Sequence, residues 1–260
     1  MAMLVTRTVQ ETLLSVKEEE EGSVVSNHIL EPEYHQERYV EACESVKALK
    51  GAFQLVNASG LVFGPSRGGQ PTYADNEDDP ASLEFGGMVA ADGSVIKDEK
   101  GNKNVCALKS NCVRRGYVDF SLARSVSREF FKKRESAAGV KRNDVLINST
   151  GDGTIGRVAV FDANFPAVVD GHITILRFDD EDFAWYVAAF LLSDVGQRQI
   201  YRYINGSSGQ VEIYPQDIGR IWIKPPQSDT HIAEVSKAFK SAAALHASFY
   251  RELQAALATV

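Results

Sequence analysis

Apolar positions recur at strand-like intervals through the middle of the chain and at helical intervals near its two ends. Pro32 suits the first turn of a helix, and Tyr39, Cys43, Val46 and Leu49 continue at helical spacing until Gly51 stops it. Residues 53–56 and 61–63 read as short strands leading into a turn-rich loop, 64–80, which a compact domain tolerates only at its surface. Further short strands are expected at 95–96, 105–108, 117–120, 144–147 and 173–178. Helices are expected at 122–133 and 182–192. A polar loop, 205–210, then precedes strand-like 211–214 and 218–224. Residues 1–30 carry only short apolar patches and four consecutive glutamates, 18–21, which read as a solvated arm.

Two stretches stand out. The segment DVLINSTGDGTIGRVAVF (144–161) contains G-x-G-x-x-G at Gly151, Gly153 and Gly156, the spacing of a dinucleotide-binding turn. That turn works only where a helix begins at the third glycine, because the pyrophosphate sits on the helix's free N–H groups. Here Val158 and Val160 alternate as in a strand and Pro166 follows, so the pattern predicts two antiparallel strands around a glycine turn. The second stretch follows Pro225-Pro226. Ile232, Val235, Phe239, Ala242, His246, Phe249, Leu253, Ala256 and Val260 alternate by three and four, the seam of a coiled-coil helix. Such a seam must be covered, by the helix near 34–50, by a second copy of the chain or by another protein. His246 reads there as a register-setting polar residue.

The 260 residues are 44% apolar and 24% charged, as in ordinary globular proteins, and no apolar run is long enough to span a bilayer. No signal peptide is expected, and the three cysteines lack metal-ligand or C-x-x-C spacing, consistent with reduced thiols in the cytoplasm. A net charge of −7 argues against coating nucleic acid by charge alone. The charge is uneven: residues 101–157 hold twelve Lys and Arg against five acids, a local +7, leaving −14 on the rest. Such clustering is expected where one face meets phosphate, and equally where a face is merely solvated.

Catalytic patterns are missing. There is no G-x-S-x-G or H-E-x-x-H, and the five histidines are scattered. Lys224-Pro225-Pro226-Gln227 lacks both the Asn or Asp and the aromatic of the amino-methyltransferase motif. The acidic run 179–182 reads as a solvated loop, so no metal and no cofactor is expected.

The order of motifs nevertheless resembles a known family. LEPEY (30–34) leads into a helix, GPSRGGQPT (64–72) forms a loop, and ALKSNCVRRGYVDFS (107–121) and VKRNDVLINSTGDGTIGRVAVF (140–161) follow. GQVEIYPQDIGRIWIKPP (209–226) then leads to the long terminal helix. This series is similar to the target recognition domain of type I restriction–modification specificity (S) subunits, from about Pro32 onward. The resemblance implies a mixed, mostly antiparallel twisted α/β (α+β) sheet with flanking helices and a C-terminal coiled-coil helix. The expected division is an arm at 1–30, a recognition domain at 31–226 and a helix at 227–260. It also implies a non-catalytic half-subunit that reads duplex DNA and positions an adenine methyltransferase, with a restriction or translocase subunit as a further partner and no membrane association. The terminal helix, through Ile232, Val235, Phe239, Ala242, His246, Phe249 and Leu253, would dock a partner or a second copy.

Base reading needs hydrogen-bonding side chains on supported loops. The candidates are Arg67, Gln70 and Thr72 in the first loop, Lys109, Asn111, Arg114 and Arg115 in the second, and Ser207 and Gln210 in the third. Two alternatives stand beside this reading: a scaffold of a defence complex that reads no sequence, and a nucleotide-binding enzyme using Gly151–Gly156.

Overall fold

A computed structural model describes residues 32–74, 104–206, 211–257 and 259. The expected N-terminal arm, the strand at 95–96, Ser207, Gln210 and Val260 lie outside the described residues. The strands are β1 (Phe53–Gln54), β2 (Leu61–Arg67), β3 (Asn104–Leu108), β4 (Arg124–Ser127), β5 (Gly139–Val140), β6 (Val145–Asn148), β7 (Val158–Val160), β8 (Ala167–Val169), β9 (Ile173–Phe178) and β10 (Trp222–Ile223). The helices are α1 (Glu37–Lys47), α2 (Arg128–Ala138), α3 (Glu181–Leu192), α4 (Asp194–Arg202), α5 (Pro215–Gly219) and α6 (Asp229–Leu257).

Two four-stranded sheets stack face to face, one ordered β2-β9-β6-β7 and the other β4-β3-β8-β5; β1 and β10 form a separate pair. All the pairings are antiparallel except β3 with β8. Strand alternation sorts the side chains into layers. Leu146, Ala159, Ile173 and Ile175 of the first sheet meet Cys106, Leu108, Val140 and Val169 of the second. Val145, Ile147, Val158, Val160 and Leu176 face the other way, toward α3. Val105, Ala107, Val126 and Val168 face Phe130 and Phe131 of α2. The order helix, sheet, sheet, helix explains why β7 and β8 are apolar throughout and β6 is apolar up to Asn148: both their faces are covered. At the edge of the inner core, Asp144 is fully buried and is held by Arg177, whose Nε and Nη2 donate to its two carboxylate oxygens at 2.7 and 2.6 Å.

The glycine-rich stretch is a hairpin. β6 and β7 pair antiparallel with Val145 opposite Val160 and Ile147 opposite Val158, and no helix follows Gly156. Gly151, Gly153 and Gly156 all have left-handed φ values, +91°, +74° and +78°, which explains three glycines without a nucleotide.

Several expectations need correction. The helix expected at 122–133 begins at Arg128, because residues 124–127 pair with β3 and the Ser127 hydroxyl accepts from Phe130 N, capping the helix there. Residues 117–120 form no strand; 211–214 make only bridges through Glu212, and 218–224 divide between α5 and β10. The unforeseen α4 hides two glutamines in the core. Gln199 exchanges two hydrogen bonds with the backbone of Trp222, and Gln197 donates to Gly156 O and Leu191 O.

The first half of the α6 seam is covered by a surface that was not among the three expected. Ile232, Val235, Phe239 and Ala243 pack on the core beside α3, with Phe239 edge-on to Trp185 at 5.2 Å. Ala243 takes the place expected of Ala242, which is exposed, because a straight helix of about 3.6 residues per turn drifts off a strict repeat of about 3.5. Ser236 Oγ and Lys240 Nζ both donate to Asp182, and Lys240 also reaches Glu181 at 2.8 Å. Further along, His246 stacks on Tyr117 at 3.6 Å and the Tyr250 hydroxyl meets that of Ser121. Beyond that point the apolar residues are open: Phe249 is 62% exposed, Leu253 40% and Leu257 58%.

Candidate nucleic-acid interface

Strand direction brings the candidate loops together. β2, β3, β6 and β8 all end, and β4, β7 and β9 begin, at one end of the double sheet, as their registers require. That end therefore carries the stretch after Arg67, the stretch after Leu108, the β6–β7 turn and the β8–β9 turn. Asn205 and residues 211–213 join them: Asn205 and Glu212 exchange backbone hydrogen bonds, Val211 O accepts from Gly151 N, and Ser149 O accepts from Ile213 N.

Arg67 ties the first loop to this segment. Its Nη1 donates to Glu212 Oε2 at 3.1 Å and its Nη2 to Ile213 O at 2.7 Å, while the guanidinium lies 5.8 Å from the Tyr214 ring. Burial raises the Glu212 carboxyl's pKa, but hydrogen bonds from Tyr214 and Arg67 outweigh it and hold it below the usual range. Arg67 is thus engaged within the protein. Gly68 lies on the β8–β9 turn so closely that a Cβ would collide with the carbonyl oxygens of Val169 and Asp170. A Cβ on Gly69 would meet Arg134 Nη2 of α2 at 2.6 Å. The chain then exposes Gln70 and Thr72 and returns to the sheet edge, with Tyr73 bridged to Val126.

In the β8–β9 turn, Asp170 is buried, its N–H donates to Leu108 O, and its Oδ1 accepts from His172 N at 2.9 Å. Burial pushes its carboxyl up, against the opposing N–H groups of His172 and Ser110. The exposed His172 ring places Nδ1 2.6 Å from Thr150 Oγ1 in the β6–β7 turn.

Two cations flank Tyr73: Lys109 Nζ lies 5.9 Å and Arg124 Cζ 4.2 Å from its ring. Beside them runs α2. Its Lys133 pairs with Glu129 at 2.7 Å, whereas the exposed Lys132 and Arg134 have no ion-pair partner among the described residues.

The second loop leads away from this group. Asn111 is exposed and accepts weakly from Cys112 Sγ at 3.6 Å. Arg114 faces Asp119 at 3.8 Å, and Arg115 donates to Gln197 Oε1 and Leu192 O, toward α3 and α4. The structure therefore gathers Arg67, Gln70, Thr72 and Lys109 and sets Arg114 and Arg115 to one side. The +7 segment is divided too: Lys109, Arg124 and Arg134 adjoin the first loop, while Arg142 pairs with Asp162 at 2.9 Å. Tyr73, Thr150 and His172 lie beside these candidates but carry no signal in the sequence. Arg124 and Arg134 stand out there only as members of a basic run.

Among the described residues no group of His, Cys, Asp and Glu could hold a metal ion, and no helix is long and apolar enough to cross a membrane.

Neither a protein-family model nor a curated protein matches the chain. Solved structures do. A chain of the type IIG restriction endonuclease BpuSI superposes with a TM-score of 0.54 at 12% identity, covering 86% of this chain and 30% of its own length. A chain from a type I restriction–modification assembly gives a TM-score of 0.40 at 15% identity, covering 95% and 53%. The protein thus shares its fold with part of that type IIG endonuclease, and it spans 30% and 53% of the two chains.

Proposed function

With a fold shared with part of a type IIG restriction endonuclease as premise, we propose that this chain is a sequence-specific reader of duplex DNA that positions an adenine methyltransferase, and with it a restriction or translocase subunit, supplied by partner chains. One observation carries the reading: hydrogen-bonding loops from four separate parts of the sequence converge at one end of a rigid double sheet, beside cations of α2. Rigid strands hold loop side chains in fixed positions, which base discrimination requires. Lys109 and Arg134 neutralise phosphate, while Gln70 and Thr72 face base edges. With a net charge of −7, the chain shares its phosphate contacts with a more basic partner. Chemistry belongs to that partner, and no cofactor is assigned to this chain.

The test is selection from a random duplex library by the full chain, alone and with its methyltransferase. Enrichment of one defined sequence supports the reading; recovery of an unselected library in both cases overturns it. The scaffold reading keeps one observation in its favour, the apolar end of α6 that the body leaves open at Phe249, Leu253 and Leu257. Under it, the chain would assemble with a partner and the library would stay random.

A further inference from the structure

We propose that His172 is a specificity-determining residue, a pre-oriented imidazole that reads one base pair; this rests on the DNA-reading function proposed above. Three observations place it there. First, His172 is exposed at the tip of the β8–β9 turn, at the end of the sheets where the candidate loops meet. Second, the residue is held at two points: its N–H donates to the buried Asp170 carboxylate at 2.9 Å, and its Nδ1 lies 2.6 Å from Thr150 Oγ1. Third, Nε2 has no hydrogen-bond partner among the described residues.

The support continues behind the ring. Thr150 bridges to Glu212, Glu212 binds Arg67, and Gly68 rests on the carbonyl of Asp170. These contacts form a closed circuit of four loop segments with the imidazole at its exposed point. Once Nδ1 is engaged by a hydroxyl, Nε2 is left with one role, donor or acceptor according to the tautomer. A single oriented group of that kind discriminates bases by their major-groove donors and acceptors, and holding it in advance lowers the entropy lost on binding. The Asp170 carboxylate fixes the backbone beneath the ring, and the Thr150 hydroxyl fixes the ring itself, a contact that a merely solvated histidine would not need.

The experiment compares library selections by wild type, His172→Ala and Thr150→Val, each with its thermal melt recorded. His172→Ala should lose preference at one or two adjacent base pairs, by about tenfold or more for a well-placed contact, and keep its preference at the others. Thr150→Val retains the imidazole but frees it, so it should weaken preference at those same base pairs by a smaller factor. Unchanged preference in His172→Ala overturns the proposal while leaving DNA reading intact. Uniform weakening at all positions with a lowered melt in both variants also overturns it, since His172 would then serve only the turn. If wild type selects no sequence, DNA reading itself fails and this proposal falls with it.

Discussion

Arg67 and Glu212 stand 145 residues apart in the chain and meet at 3.1 Å, joining the loop after β2 to the segment before α5. Arg67 Nη2 also donates to Ile213 O, and its buried Nε has no partner among the described residues. One side chain therefore fixes the spacing between two loops that were separate candidates in the sequence. Arg67→Ala should cost about 1–2 kcal/mol, the worth of charged hydrogen bonds discounted for partial exposure. Denaturant melts check this, and Arg67→Lys should recover less than half, since a point charge cannot span both acceptors.

Phosphate binding has a signature in salt. Lys109→Gln with Arg134→Gln should lower the slope of log affinity against log salt by about 2, roughly 0.9 for each phosphate no longer neutralised. Titration of a fluorescent duplex at several salt concentrations measures it. A slope equal to wild type would remove both residues from the interface.

The two ends of α6 should respond differently to the same change. Phe239 packs against Trp185, so Phe239→Asp should destabilise the fold by roughly 2–4 kcal/mol. Leu253 is 40% exposed, so Leu253→Asp should leave the melt within about 0.5 kcal/mol of wild type. Its effect would instead appear in sedimentation, as loss of any assembly made through the end of the helix.

Acid should loosen the root of the same helix. Hydrogen bonds from Ser236 and Lys240 hold the Asp182 carboxyl below its usual value. A depressed folded pKa means stability that is complete above the unfolded value, about 3.9, and lost as pH falls through the lower folded one. Lys240 works in the opposite direction. Burial opposes its charge, but Glu181 and Asp182 raise its pKa, so its contribution is complete below about 10.4 and lost as pH rises through the folded value. Fluorescence of Trp185, beside Phe239, should change at both extremes, and Asp182→Asn should remove the acid step.

The hairpin glycines differ in a measurable way. Gly153 has positive φ but open space around a would-be Cβ, so Gly153→Ala should cost about 1 kcal/mol of backbone strain alone. At Gly151 the Cβ would also sit 2.8 Å from Thr154 Oγ1, and Gly151→Ala should cost more. Neither should change affinity for NAD or ATP, since no helix follows the turn to receive a phosphate.

Much of the fold was legible wherever local pattern decides it. The alternation of Val158 and Val160 points to the hairpin, and the spacing of Ile232, Val235 and Phe239 to the terminal helix. Burial of polar groups was not legible: Gln197 and Gln199 look like loop residues until Gly156, Leu191 and Trp222 supply their partners. The site followed the same division. Gln70 and Thr72 stand on an exposed loop, as glycine-rich composition suggested, whereas Arg67 is consumed by Glu212 and Arg115 by Gln197. Asp170 and His172 have no local signature, because only topology brings the β8–β9 turn to the same end as the loops.

The small pair of β1 and β10 also bears on mechanics. Phe53 lies opposite Ile223 and Gln54 opposite Trp222, so the strand that enters the body and the one that leaves it lie side by side. Because they run antiparallel, the chain arrives at Phe53 and departs after Ile223 at the same end of the pair. Tension applied between α1 and α6 would open this pair like a zipper, one bond at a time, rather than shear it. A pull through the helices would thus open this pair while the contacts of Phe239, Ser236 and Lys240 still held α6 to α3.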